Sequence, residues 1–182
     1  KGARMALTVT GLGGLGRVMP LTFAAALIGA AGMAGLPLTI AFFAKEEMYA
    51  ALLLNDFWQM LQQPHNFAAM LVIVVGNALM MGVGLAIVAK VFFGAPKPTP
   101  VKPHESSFSL WIGALMLGVL AVFTGVMLDW TGRYLITPVA SPIYNFRVES
   151  QLYLDWKLFL APQFYISVLT WVLGFWVFWR ID

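Results

Sequence analysis

Four long apolar stretches, separated by polar or proline-rich breaks, organise this chain of 182 residues. They cover residues 20–54, 67–93, 108–128 and 162–180. A bilayer core of about 30 Å is crossed by roughly 20 helical residues, and backbone that faces lipid must satisfy its own hydrogen bonds. The pattern therefore predicts an all-α integral membrane protein with about four transmembrane helices.

The first apolar stretch is too long for one straight crossing. As a continuous helix its 35 residues would extend about 52 Å. Gly35, Leu36 and Pro37 interrupt it: proline removes a backbone donor and disfavours helix at the residue before it. We therefore expect a broken transmembrane helix over 20–54. Such breaks are tolerated inside a membrane only where they are buried in protein or line a wet cavity, and many transporters build ion sites there.

Composition agrees with a membrane location. Hydrophobic residues make up 60% of the chain and charged residues 10%, whereas soluble domains carry roughly 25% charged residues. This balance excludes a soluble enzyme. The net charge of +3 comes from basic residues scattered between the apolar runs, so no nucleic-acid partner is expected. With no cysteine and two histidines, no metal or cofactor site is expected either.

Basic residues near the ends of the apolar stretches predict the orientation. They occur before the first stretch, and at the end of the second stretch with the connection that follows it, whereas 55–66 has none and those of 129–160 are offset by acidic residues. Because cytoplasmic loops are enriched in lysine and arginine, residues 1–19 are predicted to be a cytoplasmic approach segment and both termini to be cytoplasmic, in a multi-pass protein of the cell membrane. Residues 129–160 are then an outer loop, in which 147–160 is expected to lie on the membrane surface. The basic residues used are Lys1, Arg4, Arg17, Lys90, Lys97 and Lys102.

Three consecutive charges stand in the second half of the broken stretch: Lys45, Glu46 and Glu47. A charge near mid-bilayer costs at least ~2.5–3.5 kcal/mol, and ionisable residues there usually mark ion or proton pathways. Desolvation penalises the charged form of a buried lysine, which can then load and release a proton. In the alternative interpretation, Lys45 extends to the outer interface and both glutamates lie in headgroup water.

Several short motifs, in order and spacing, resemble the large A subunit of Mrp-type Na⁺/H⁺ antiporters, which is related to the large antiporter-like subunit of respiratory complex I. They are GLGRVMP at 14–20, MAGLP at 33–37, FAKE at 43–46, VFFG at 91–94, PHE at 103–105 and a late L-x-L-x-W element at 152–156. The resemblance covers nearly the whole chain from residue 11 and indicates the C-terminal part of that large subunit. The family's first antiporter half, with its own Glu–Lys pair, is absent.

The resemblance implies a proton-translocating module that exchanges H⁺ for Na⁺ within a multisubunit membrane complex. The family's lysine and acidic neighbour on a broken helix correspond to Lys45 and Glu46, as proton-transfer residues, with 35–37 as the hinge. Lys1, in a Lys-Gly-Ala element, corresponds to a central relay lysine, although the histidine that precedes it in the family lies outside the chain. The chain also begins without methionine, so we expect a fragment.

Three further residues are secondary candidates: Glu47, Lys90 and Asn77. Lys90 stands one turn from the end of its stretch. In the alternative interpretation, its side chain simply extends to the cytoplasmic face of the membrane. Asn77 shares its stretch with glycines, a composition also typical of close helix packing. Two other functions stay open: a proton-pumping component of a complex I-like or membrane hydrogenase machine, and a scaffold of helices that only holds other subunits.

Overall fold

The computed structural model describes residues 13–53, 57–97, 102–105, 107–144 and 156–180. Within these ranges the chain forms helices and no strand, which confirms the all-α class. Short 3₁₀ helices cover Leu15–Arg17 and Trp156–Leu160, and π-helical segments cover Val88–Phe92 and Gly132–Ile136. The α-helices are α1 (Pro20–Ala34), α2 (Ile40–Leu53), α3 (Phe57–Gln62), α4 (Pro64–Ile87), α5 (Phe108–Val126), α6 (Leu128–Thr131), α7 (Thr137–Tyr144) and α8 (Pro162–Arg180).

The first predicted crossing is broken, as its glycine and proline indicate. Helix α1 ends at Ala34, and α2 begins at Ile40. With 15 and 14 residues, the two helices extend only about 22 and 21 Å, so neither alone crosses a core of about 30 Å. Three other helical segments are long and apolar enough to cross a membrane: Pro64–Phe92, Phe108–Val126 and Pro162–Arg180.

Side-chain contacts show that the crossings alternate in direction. Near the start of α1, Phe23 packs on Phe92 from the end of the α4 segment, with ring centroids 5.3 Å apart. At the other end of the bundle, Leu53 from the end of α2 joins a core cluster with Met70, which is near the start of α4. Ile166, near the start of α8, packs against the same cluster, so α8 runs in the same direction as α4.

Glycines allow the helices to approach closely. A Cβ added to Gly82 on α4 would lie 2.6 Å from Cγ1 of Val177 on α8, and one on Gly174 would lie 2.8 Å from Sδ of Met81. Small residues at such contacts are typical of helix packing in lipid. The α5 helix is different, since only 6% of its most apolar window is buried inside the described chain. Most of its surface is therefore exposed among the described residues.

The structure differs from the predicted boundaries at several points. Helix α4 begins at Pro64 rather than at residue 67, because proline at the first helical position lacks only a donor that would be unpaired anyway. The predicted outer loop 129–160 is helical through Tyr144. Of its surface segment, only Trp156–Leu160 is described, and Lys1 with most of the approach segment lies outside the described residues.

Candidate functional site

The end of α1 is a Schellman motif centred on Gly35. Gly35 adopts the left-handed conformation at φ 63° and donates to the carbonyl of Gly32 at 3.0 Å, while Leu36 N–H donates to the carbonyl of Ala31 at 3.0 Å. A helix leaves its last four carbonyls without intrahelical partners, and this motif satisfies two of them. The carbonyls of Met33 and Ala34 still need donors.

Lys45 supplies the donor for Met33. From the second turn of α2, its side chain turns back across the break, and Nζ donates to the Met33 carbonyl at 2.7 Å. The residue is half-buried. A cation at a helix C-terminus is also stabilised by the helix dipole. The ammonium group therefore lies at the level of Met33, about 20 Å along α1 from Pro20.

Trp171 on α8 supplies the donor for Ala34. Its indole N–H donates to the Ala34 carbonyl at 3.0 Å, and its ring stacks on Phe42 of α2 with centroids 6.3 Å apart. All four terminal carbonyls of α1 are thus hydrogen-bonded, two of them by side chains from other helices. The end of α1 is in this way connected to both α2 and α8.

Two glycines permit this arrangement. A Cβ on Gly35 would lie 2.8 Å from Cδ of Lys45 and 3.0 Å from its Nζ, so glycine is required for space as well as for its positive φ. Gly125 of α5 packs on the break itself, since a Cβ there would overlap the Leu38 carbonyl oxygen. After the break, Thr39 immediately precedes α2, and its hydroxyl donates to the Leu36 carbonyl at 2.8 Å.

Glu46 points away from Lys45, towards α8. Only 2% of the residue is exposed, and Ser167 donates a hydrogen bond to its Oε1. Its other oxygen, Oε2, is buried and accepts no hydrogen bond from the described residues. An unpartnered buried polar atom costs about 1–3 kcal/mol, so Oε2 is a place where a proton, a water molecule or another donor would be stabilised.

A second polar contact lies one turn further along α2 and joins three helices. Asn77 of α4 donates to the Tyr49 hydroxyl at 2.8 Å, and that hydroxyl lies 3.3 Å from Oγ1 of Thr170 on α8. Thr170 gives its own proton to the Ile166 carbonyl at 2.8 Å, so Tyr49 is the donor to Thr170. The chain of bonds ends on a backbone carbonyl. It connects α2 with α4 and α8.

The remaining predicted residues lie apart from this group. Glu47 is exposed on α2. Lys90 lies in the π-helical segment after α4, beside the start of α1 and thus at the far end of α1 from Lys45. Within the hinge, Leu36 is exposed. No group of three or more histidine, aspartate or glutamate side chains in the described ranges is placed to hold a metal ion.

Several residues of the site are not among the sequence candidates: Tyr49, Ser167, Thr170 and Trp171. Ser167 and Thr170 stand three apart within the mainly apolar stretch 162–180. That spacing places two hydroxyls on one helical face, and it is the signal that could have indicated a polar contact within the membrane.

These features define a polytopic membrane protein with a charged pair at a helix break, an arrangement typical of ion transport. The chain is homologous to a portion of the A subunit of Na(+)/H(+) antiporters, which confirms the resemblance predicted from its motifs. No protein-family model matches it. Its relatives are transporter subunits rather than classical enzymes.

Three relatives illustrate the similarity. The Na(+)/H(+) antiporter A1 subunit of Staphylococcus haemolyticus is 26% identical over 168 residues, which is 90% of this chain and 20% of the relative. The A subunit of Alkalihalophilus pseudofirmus is 31% identical over 140 residues, or 72% of this chain and 17% of the relative. The A1 subunit of Staphylococcus aureus JH9 is 26% identical over 171 residues, or 90% and 21%. The chain therefore spans about a fifth of the length of these curated relatives.

Proposed function

We propose that the chain is the C-terminal part of the large subunit of a Mrp-type antiporter, which exchanges H⁺ for Na⁺ across the cell membrane, and that Lys45 carries the proton. The observation that supports this most is the position of its ammonium group. Nζ turns inward to the Met33 carbonyl instead of extending outward, as the interfacial alternative requires. A lysine held there is shielded from bulk water on the side of α1.

The hydrogen bond to the Met33 carbonyl makes the contact between α1 and α2 depend on whether Lys45 is protonated. The ammonium form of Lys45 donates to the carbonyl and interacts favourably with the negative end of α1, whereas the neutral amine loses the charge-assisted part of both interactions. Loading and releasing a proton therefore changes how strongly α1 and α2 are held together across the break. The hinge of Gly35, Leu36 and Pro37 is where water would reach the lysine.

Glu46 is the modulating carboxylate in this proposal. It follows Lys45 in sequence, and its unpartnered Oε2 is enclosed by protein. A proton or a water molecule there would alter the charge next to Lys45. Because neighbouring residues on a helix face different directions, Glu46 acts on Lys45 through the local field rather than by direct contact.

The remaining assignments concern the assembly. We propose that the start of α1, the end of α4 and the loop before α5 face the cytoplasm, together with both termini. The lipid bilayer and other membrane subunits of an antiporter complex would cover the exposed apolar faces, among them that of α5, the least buried of the three long apolar helices described.

Lys45→Ala in the intact complex tests the proposal. Na⁺ exchange driven by a pH gradient is measured in membrane vesicles, with assembly of the complex checked in parallel. We expect exchange to fall to less than about a tenth of the wild-type rate, in line with the contribution of a positioned proton donor. Lys102→Ala is the control, since Lys102 is an exposed lysine in the loop before α5 and lies at the other end of α1 from Lys45. Unchanged exchange in Lys45→Ala would instead favour a purely structural scaffold.

A further inference from the structure

The other end of α1 is also held by a charged side chain from outside the helix. Glu105, in the segment before α5, accepts hydrogen bonds from the backbone N–H groups of Leu21 at 3.1 Å and Thr22 at 3.2 Å. It accepts a third from the Thr22 hydroxyl at 2.5 Å. These amides belong to the first turn of α1, where donors lack intrahelical partners and a negative charge is favourable.

Helix α1 thus has opposite charges at its two ends: the carboxylate of Glu105 at the start and the ammonium group of Lys45 at the finish. The two are joined by a rigid element of about 22 Å. Helix α5, which follows Glu105 closely, runs beside α1 throughout. A Cβ on Gly118 would lie 2.8 Å from Cγ2 of Ile28, and Gly125 contacts the break beyond Gly35.

We propose that Glu105 is a positioning residue for Lys45: by fixing the start of α1, it fixes the Met33 carbonyl that holds the ammonium group. This inference rests on the proposed function of Lys45. The hydrogen bond from the Thr22 hydroxyl keeps the pKa of Glu105 below its ordinary value, so the carboxylate stays charged at neutral pH.

Titratable groups lie near both ends of α1 among the described residues. On the side of Glu105, Nδ1 of His104 lies 2.9 Å from the Glu105 backbone oxygen, and Lys102 is exposed in the same segment. Arg17 and Lys90 belong to segments that pack beside the start of α1. Around Lys45 they are Glu46, buried against α8, and Glu47, exposed. Neither glutamate lies against α1's first turn, so a change at Glu105 reaches Lys45 through α1 rather than through another charge.

The test uses Glu105→Ala and Glu105→Gln in the intact complex, with two readouts: the pH dependence of Na⁺ exchange and hydrogen exchange at the amides of Leu21 and Thr22. In Glu105→Ala, both amides exchange faster. The pH of half-maximal Na⁺ exchange moves lower by about half a pH unit, since a less well-held ammonium group needs more protons to load. Glu105→Gln keeps one acceptor oxygen and gives a smaller shift. Asp129→Ala, in the exposed pair with Arg133, is the control and shifts neither readout.

Two results overturn the inference. If Glu105→Ala speeds hydrogen exchange at the two amides but leaves the pH dependence of Na⁺ exchange unchanged, the carboxylate stabilises the start of α1 without positioning Lys45. If hydrogen exchange at the two amides is also unchanged, the carboxylate does not stabilise the start of α1. Failure of the underlying function is distinguishable, because it appears as wild-type Na⁺ exchange in Lys45→Ala whatever Glu105→Ala does.

Discussion

Gly35→Ala is the substitution that most directly disturbs the turn between α1 and α2. The new Cβ would lie 2.8 Å from Cδ of Lys45, and at φ 63° a non-glycine residue in the left-handed region costs about 1–2 kcal/mol. If the lysine moves aside, the Met33 carbonyl loses its donor at a further cost of about 1–3 kcal/mol. We therefore expect a loss of roughly 2–5 kcal/mol in stability, together with impaired Na⁺ exchange.

Thermal unfolding of the purified complex and Na⁺ exchange in vesicles measure the two effects. Gly29→Ala is the matched control: it lies on the same helix, and nothing in the structure comes within 4 Å of its added Cβ. It should leave stability and exchange near wild type. If Gly35→Ala behaves like Gly29→Ala, then Lys45 does not cross Gly35 as described, and the reasoning about the break is refuted.

Three further predictions follow from the same contacts. Trp171→Phe keeps an aromatic ring but leaves the Ala34 carbonyl without its donor, so stability should fall by about 1–3 kcal/mol; an unchanged unfolding midpoint would contradict this. Tyr49→Phe removes the hydroxyl that accepts from Asn77 and should lower stability by a similar amount. The pH dependence of Na⁺ exchange should stay unchanged, because this contact holds helices together and carries no proton; a shifted pH profile would contradict that assignment. Because the pKa of Glu105 is lowered, its stabilising contribution is present above the ordinary glutamate value and is lost only as pH falls through the lowered one. Protection of the first α1 amides should therefore persist as pH falls through the ordinary glutamate pKa of about 4.3 and be lost only below it. Loss of that protection between about pH 7 and 6 would count against it.

The helix break was predictable because its causes are local. Pro37 and Gly35 act through backbone geometry that the sequence displays directly, and three charges in an apolar run draw attention to Lys45 and Glu46. Helix α8 also covers the predicted stretch 162–180, since its apolar composition is continuous.

The partners of the charged pair were not predictable, because they depend on packing between distant parts of the chain. Trp171 reaches Ala34 across 137 positions and Ser167 reaches Glu46 across 121, and no local pattern specifies such a pairing. The hydrogen-bond partner of the Lys45 side chain was likewise not predictable. Nζ reaches the Met33 carbonyl because the left-handed turn at Gly35 brings the end of α1 close to it.

The role of Asn77 shows the limit in another way. Glycines around it suggested helix packing, but the sequence could not exclude a role in ion binding. The partners of Asn77 depend on how three helices pack: the donors run from Asn77 through Tyr49 and Thr170 to a backbone carbonyl.

Na⁺ exchange by Lys45→Arg in the intact complex tests the central claim most directly. Arginine keeps the positive charge and several donors for the Met33 carbonyl, but it does not release its proton at physiological pH. If Lys45 carries protons, the variant complex assembles normally and exchanges Na⁺ as poorly as Lys45→Ala. Wild-type exchange in Lys45→Arg would show that only a fixed charge is needed at this position, and the proton-carrier assignment would be wrong.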